Sequence, residues 1–275
     1  MQRWLKGCLV IVGALVLSTL GISASDTLQG LSGSLVSMAL QSNQKVFGCG
    51  LDAVELVVGG NKICMDAYEA SAGERCPYGD PKNLQETEQN LSTQRCIPMS
   101  KLDAVAWRFI NLSQAQRACA LAGKRLLTNE EWYRGALGTL ESSCNLTHSD
   151  EGQPQKTQKS ACRSTSGAYD MVGNVWEWVD AQVESGSYHN RVLPPTGYVG
   201  GVDADGVALM TGEKEDNLYG KDYFWESSDG VRGMLRGGFY GSGSDGGLYA
   251  INTSVDLGFG SNGVGFRCAR AYPGL

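Results

Sequence analysis

Apolar and polar residues form a β pattern between residues 54 and 65. Two apolar runs, residues 54–58 and 62–65, flank a pair of glycines and predict a β-hairpin. Residues 70–94 are polar and contain glycines and prolines, so we expect an exposed loop. Residues 181–229 carry glycines and aromatic residues without a clear period, and we expect a second, longer loop there.

Two helices are predicted from their start signals. Ser113 and Thr128 each precede a Gln or Glu by three residues, which is the spacing of a capping box. The first helix should run to Ala122, where a following glycine supplies the left-handed stop, and the second should end near Gly138.

The first 25 residues have the pattern of a secretory signal. A short cationic start precedes an apolar run over 8–22 and the small residues 23–25, so we expect residues 1–24 to be a signal peptide cleaved near Ala24. The competing interpretation is a retained anchor, but the run is short of the roughly 20 residues that a span needs. We expect no transmembrane segment after cleavage and an exported, periplasmic or extracellular protein.

Residues 25–50 are predicted to be a leader ahead of one domain, residues 51–275. Apolar residues in the leader share one helical stripe, which could serve association or could pack onto the domain. The stripe consists of Leu28, Leu31, Leu35 and Met38.

Composition excludes one class of partner. The chain has 275 residues, a formal net charge of −6 and a pI near 5.0. After the signal it has no cluster of Lys and Arg, whereas a nucleic-acid ligand needs a basic face. We therefore expect no nucleic-acid partner.

Signal cleavage would leave an even number of cysteines, which in an exported chain predicts disulfides. Spacing alone does not choose the pairs, although Cys76 and Cys96 bracket much of the predicted first loop. The chain has only two histidines, His148 and His189, and no Cys-x-x-Cys, so a zinc site is not expected. The remaining cysteines are Cys49, Cys64, Cys119, Cys144, Cys162 and Cys268.

The segment 170–178 carries candidate metal chemistry. Asp170 and Glu177 are carboxylates at its two ends, and Gly173 allows a turn that directs intervening carbonyls, such as that of Val175, toward the same point. Carboxylates mixed with carbonyls are the ligands that Ca²⁺ prefers. The alternative is a hydrogen-bonded turn in which Glu177 is a cap. Alternation also places Trp176 and Trp178 on one strand face and Glu177 on the other.

Four blocks in order carry a family resemblance. They are Ala122–Trp132, Asp170–Trp178, Leu235–Gly238 and Gly263–Ala269. With this pattern the chain resembles the formylglycine-generating enzyme (sulfatase-modifying factor) family. The resemblance implies an α+β domain with low regular secondary structure, a C-type-lectin-like core and structural Ca²⁺. It also implies a Cys119–Cys268 disulfide, and we add Cys144–Cys162 as a second predicted pair.

The copper chemistry of that family is not expected here. Its enzymes use two cysteine thiolates between the third and fourth blocks, and thiolates suit Cu(I). Residues 239–262 contain no cysteine, and block alignment places Gly246 and Ile251 at the copper positions. We therefore expect no copper and no formylglycine generation. Iron-dependent relatives need a histidine cluster that this chain lacks, while a branch linked to pyoverdine maturation shares the fold without the copper cysteines.

The interval 239–262 mixes Tyr, Ser, Asp and Asn on a glycine scaffold, as adaptable binding loops do. It also resembles the variable region of C-type-lectin-like proteins diversified by retroelements. We predict a binding face for a protein or glycan ligand outside the cytoplasm; a static glycine-rich loop is the alternative. The face would comprise Tyr240, Ser242, Asp245, Tyr249, Asn252, Ser254, Asp256 and Phe259.

The leading hypothesis is thus an exported ligand-binding module without copper catalysis. Two alternatives remain open: an exported oxidoreductase of the same family acting on a peptide or secondary metabolite, and an assembly subunit that associates through the leader stripe.

Overall fold

The computed structural model describes residues 48–147, 153–157 and 161–274. The predicted signal peptide, the leader stripe and His148 lie outside the described residues. In the described part of the chain, no helix is both long enough and apolar enough to cross a membrane.

Within the described ranges the elements are short and separated by loops. The helices are α1 (Leu84–Leu91), α2 (Leu112–Leu121) and α3 (Asn129–Ala136), and 3₁₀ turns occur at Glu141–Ser143, Asn217–Tyr219 and Gly243–Asp245. The strands are β1 (Ala53–Val58), β2 (Asn61–Asp66), β3 (Ala70–Ala72), β4 (Pro98–Ser100), β5 (Arg125–Leu126), β6 (Trp176–Glu184), β7 (Ser187–Tyr188), β8 (Arg191–Val192), β9 (Gly197–Val202), β10 (Ala208–Gly212), β11 (Tyr223–Glu226), β12 (Val231–Arg236), β13 (Ile251–Thr253), β14 (Val264–Phe266) and β15 (Cys268–Ala271).

The strands form one large sheet and two smaller ones. The large sheet has the order β10-β9-β11-β13-β12-β6-β7-β8, and β14 pairs with β6 beside this path. Its β11–β13 and β14–β6 pairs are parallel, whereas the long β12–β6 pair is antiparallel. The second sheet has the order β1-β2-β15-β5, and β3 pairs with β4.

Two hydrophobic clusters lie on opposite faces of the large sheet. Successive residues of β12 alternate between them: Met234 belongs to the cluster that includes Trp132 of α3, and Leu235 belongs to the cluster that includes residues of α2. Trp176 and Trp178 both lie in the α2 cluster, so the prediction that they share a strand face is confirmed.

The hairpin and the second helix follow the sequence prediction. β1 and β2 pair antiparallel with Val58 opposite Asn61. In α3 the Thr128 hydroxyl accepts from the Glu131 amide, and the Glu131 carboxylate accepts from the Thr128 amide. This reciprocal box satisfies two backbone donors that the helix itself leaves unpaired.

The predicted start of the first helix is wrong by two residues. The cap of α2 is Asn111, whose side chain accepts from the amide of Gln114, while the Gln114 side chain accepts from the Asn111 amide. Ser113 lies in the first turn and donates to Asn111. The predicted stop is correct, because the glycine at 123 has φ of 67°.

Both predicted loops contain regular structure. Residues 70–94 include β3 and α1. The helix is capped by Asn83, whose side chain accepts from the Glu86 amide. The side chain of Asn90 accepts from the backbone amide of Tyr78 and donates to its carbonyl. Residues 181–229 include the end of β6 and all of β7 to β11. The periodicity of apolar residues along the sequence did not predict these elements, because pairing with distant strands and side-chain caps stabilise them.

Four disulfides join the described cysteines. The predicted Cys119–Cys268 and Cys144–Cys162 pairs are confirmed. Cys76 pairs with Cys96 around α1. Cys49 pairs with Cys64 of β2.

Candidate functional site

The segment 170–178 is a left-handed turn that leads into β6. Asp170, Gly173 and Asn174 have φ of 54°, 75° and 58°. A Cβ on Gly173 would lie 2.4 Å from the carbonyl oxygen of Asn145, so only glycine fits this position. The turn is therefore as irregular as the sequence predicted.

Glu177 lies at the centre of a buried network. Its carboxylate accepts from Arg267 Nε at 2.8 Å and Arg267 Nη2 at 2.5 Å, and from Trp132 Nε1 at 2.7 Å. The two charged side chains are 1% and 0% exposed. A buried carboxylate paired in this way joins β6, α3 and the chain before β15. Glu177 is thus a hydrogen-bonded structural residue, but its partners are the side chains of Arg267 and Trp132, whereas the sequence alternative made it a cap of the turn.

A third carboxylate borders this network. Glu69 is fully buried and accepts from the side-chain amide of Asn174 at 2.5 Å. Burial, and after it the charges of Asp170 and Glu177, raise the pKa of Glu69 well above its usual range, while Arg267 opposes that rise. Three acidic groups thus lie near one guanidinium, an environment that favours an added proton or cation.

Among the described residues, no group of three or more His, Cys, Asp or Glu side chains could hold a metal ion. A calcium site at this turn would therefore need backbone carbonyl ligands in addition to carboxylates. Gly173 and Val175 are the residues predicted to supply those carbonyls. The Glu177 carboxylate would share its oxygens with Arg267 and Trp132, so Asp170 is the better side chain on which to test the prediction.

Of the eight predicted binding residues, the two tyrosines pack against neighbouring side chains. Tyr240 is only 8% exposed, its hydroxyl accepts from the Asn262 side chain, and its ring packs edge-on to Phe239. The Tyr249 ring lies against Tyr133 and Tyr219, beside the α3 cluster. Both rings thus pack against neighbouring residues, with Tyr240 buried and Tyr249 half-buried, and their role as binding anchors stays a prediction.

The other six predicted residues are at least partly exposed, but several have local partners. The Ser242 hydroxyl accepts from the Phe239 amide, and Asn252 Oδ1 accepts from the amide and hydroxyl of Ser254. Asp256 pairs with Arg232 of β12. Phe259 is 40% exposed. Asp245 is half-buried in a 3₁₀ turn.

The two positions that block alignment assigns to copper are buried. Gly246 follows the 3₁₀ turn Gly243–Asp245, and Ile251 lies in β13 opposite Phe224 of β11. Neither side chain can bind a metal ion, and the eight cysteines of the described part of the chain are all in disulfides.

A row of three aromatic residues on β9 and β11 was missed by the sequence analysis. Tyr198, Tyr223 and Trp225, called the aromatic row below, are all partly exposed. Neighbouring ring centroids are 4.9 Å apart along the row, and Trp225 continues it to Trp176, 5.6 Å away. The sequence Tyr223-Phe224-Trp225 could have predicted this row. Side chains alternate along a strand, so a buried Phe224 places Tyr223 and Trp225 together on the opposite face.

The aromatic row borders the interval 239–262 and a cleft. Trp225 pairs in register with Asn252, and the charge of Asp245 acts on Tyr198. A cleft of about 340 Å³ opens at the Tyr198 end of the row. Its lining residues are Pro195, Thr196, Gly197, Tyr198, Thr211, Gly212, Glu213 and Tyr223.

These features define a disulfide-linked α+β domain with small helices around a curled sheet. The sulfatase-modifying factor enzyme 1-like domain matches residues 80–272, so the chain belongs to that family. The predicted family and fold class are thus confirmed.

Curated relatives match only part of the chain. An inactive Cα-formylglycine-generating enzyme 2 from Bos taurus is 31% identical over 121 residues, which cover 36% of this chain and 40% of the relative. The Mus musculus protein of that name is 28% identical over 121 residues, 36% of this chain and 39% of its own length. This chain therefore spans about two fifths of the length of these relatives.

Solved structures that resemble the chain include a Major Tropism Determinant P3c variant, with a TM-score of 0.44, 14% identity and coverage of 84% of this chain and 56% of that chain. Treponema denticola variable protein 1 has a TM-score of 0.41, 14% identity and coverage of 80% and 99%. PvdO from Pseudomonas aeruginosa has a TM-score of 0.44, 16% identity and coverage of 78% and 82%.

Proposed function

We propose that this protein is an exported ligand-binding module on a formylglycine-generating-enzyme-like scaffold, without copper catalysis. One observation carries the proposal: a partly exposed row of aromatic rings lies beside a glycine-rich segment with polar side chains. Aromatic rings supply large, rigid contact areas; Asn252 adds a polar group next to Trp225, and the charge of Asp245 acts on Tyr198. The proposed binding surface is therefore the aromatic row with these two residues, and only Asn252 and Asp245 belong to the face that the sequence predicted.

The side chains available as metal ligands support a ligand-binding role over copper catalysis. The interval 239–262 has no thiol, and the described cysteines are in disulfides. The curated relatives carry the word inactive in their names, which accords with loss of the family reaction. The rival, an oxidoreductase acting on a peptide or secondary metabolite through another site, would be favoured by stoichiometric copper or iron binding after reconstitution.

Export is supported by the predicted signal peptide and by the four disulfides, since disulfides persist in oxidising compartments. We also propose that a retroelement diversifies residues 239–262, because their composition and the residues that frame them resemble the variable region of retroelement-diversified C-type-lectin-like proteins. A reverse-transcriptase gene beside a near-copy of the segment encoding 236–267 would support that part of the proposal.

Structural calcium remains part of the proposal. Asp170 and the left-handed turn supply the types of ligand that Ca²⁺ uses, and the excess of buried carboxylates over cations there would be offset by a divalent ion. Calcium would hold the turn that leads into β6 and would take no part in a reaction.

The binding proposal can be tested on a glycan array and a displayed peptide library with the secreted, oxidised protein. We expect saturable binding that Trp225→Ala weakens at least about tenfold, because a few aromatic residues carry most of the binding energy of an interface, and that Asn252→Ala weakens by a smaller factor. Tyr272→Ala is the matched control, since Tyr272 is a half-buried ring next to Lys62 of the other sheet. Binding unchanged by Trp225→Ala, with the melting temperature preserved, would refute this surface.

A further inference from the structure

We propose that the Tyr198 end of the aromatic row binds an organic cation, an ammonium or guanidinium group carried by the ligand. The site, called the cation corner below, consists of Tyr198, Tyr223 and Glu213. The inference rests on the proposed binding function and names the chemical class that the function would recognise.

The ring geometry suits a cation. Tyr198 and Tyr223 have centroids 4.9 Å apart and an interplanar angle of 89°, so the rings form two perpendicular walls. Trp225 adds a third ring, 4.9 Å from Tyr223 at 56°. A cation within about 6 Å of a ring face is attracted by the ring quadrupole, and walls in different planes allow more than one such contact.

The charges around the corner are mainly negative. Glu213 lines the same cleft. Loss of hydration first, and then the charges of Asp245 and Glu215, raise the pKa of Tyr198. Lys221 pairs with Glu215 at 2.8 Å, which leaves the carboxylates of Glu213 and Asp245 to favour a positive ligand.

The two threonine hydroxyl groups of the cleft are engaged within the protein. Thr196 donates to the carbonyl of Glu226 and accepts from the amide of the same residue. Thr211 donates to the carbonyl of Pro195. Because both threonine hydroxyl protons are used within the protein, a sugar would depend on the phenol hydroxyls of Tyr198 and Tyr223 for side-chain O–H donors, whereas an alkylated ammonium needs none. A volume of about 340 Å³ accommodates such a group.

Choline is the first probe, and its uncharged isostere, in which tert-butyl replaces trimethylammonium, is the ligand control. Calorimetry and saturation-transfer NMR on the full oxidised protein should show choline binding at least about tenfold tighter than the isostere. Tyr198→Leu and Tyr223→Leu should each weaken choline binding by about tenfold, and Glu213→Gln by a few fold. Tyr272→Leu should leave it unchanged.

Nα-acetyl-lysine amide and Nα-acetyl-arginine amide distinguish a protein side chain from a free or lipid-borne quaternary amine as the source of the cation. Tighter binding of either amide than of choline assigns the corner to a basic peptide, and the reverse assigns it to a quaternary amine. Equal binding of choline and the isostere, or no effect of the exposed-site variant Glu213→Gln, would overturn the inference.

The two proposals fail separately. If choline binds through Tyr198 but no array ligand depends on Trp225, the cation corner stands and the broader binding surface does not. If array binding depends on Trp225 but is indifferent to Tyr198 and Tyr223, the binding function stands and the cation corner is wrong.

Discussion

Removing the carboxylate of Glu177 should destabilise the domain severely. Glu177→Ala leaves the Arg267 guanidinium, which is 0% exposed, without its ion-pair partner, and leaves the Trp132 indole N–H without its acceptor. Breaking a buried ion pair from one side costs about 3–5 kcal/mol, and an unpaired buried donor costs about 1–3 kcal/mol. Because the carboxylates of Glu69 and Asp170 remain near Arg267, we expect the lower end of both ranges, a loss of about 4 kcal/mol in the free energy of unfolding.

That loss is a large part of the roughly 5–15 kcal/mol by which a domain is stable. Urea unfolding of the oxidised protein in chelator, followed by tryptophan fluorescence, measures it. Glu177→Gln keeps an acceptor for Trp132 and should lose less. Glu55→Ala is the matched control, because its partner Lys62 is exposed and a surface pair contributes little. A Glu177→Ala midpoint equal to that of Glu55→Ala would refute the ion-pair reasoning.

Three further outcomes are expected. Calcium should raise the melting temperature of the wild type, because a ligand bound only to the folded state stabilises it, and Asp170→Asn should remove most of that gain; identical melting curves in calcium and chelator would end the calcium proposal. Incubation with Cu(I) and a Cys-x-Pro-x-Arg peptide should give no aldehyde by mass spectrometry above a copper-only control, and an excess of aldehyde would contradict the lack of catalysis. Burial, and then the charge of Glu141, raise the pKa of Asp222 well above 3.8. The folded state therefore holds this proton to higher pH than the unfolded chain, so the stability it contributes is present in acid and lost as pH rises through the folded pKa. Asp222→Asn should make the free energy of unfolding depend less on pH over this range. An unchanged pH dependence of unfolding in this variant would contradict the assignment to Asp222.

Local chemistry made some features predictable from the sequence. The Thr128 capping box, the hairpin at 54–65 and the left-handed glycine at 173 depend on residues close together in the chain, so their spacing is sufficient evidence. The Cys119–Cys268 pair spans 149 residues and was predicted only because the family pattern supplied it.

Tertiary structure decided which side chains are available for binding. Tyr240 was expected at a surface, but Phe239 and Asn262 bury it, and no local pattern reports such a contact. Glu177 was expected to bind calcium, and its observed partner Arg267 lies 90 residues away. The aromatic row exists because β9 pairs with β11, which places Tyr198 opposite Tyr223. A sequence shows which residues could bind, whereas pairing between distant strands determines which of them share a surface and remain exposed.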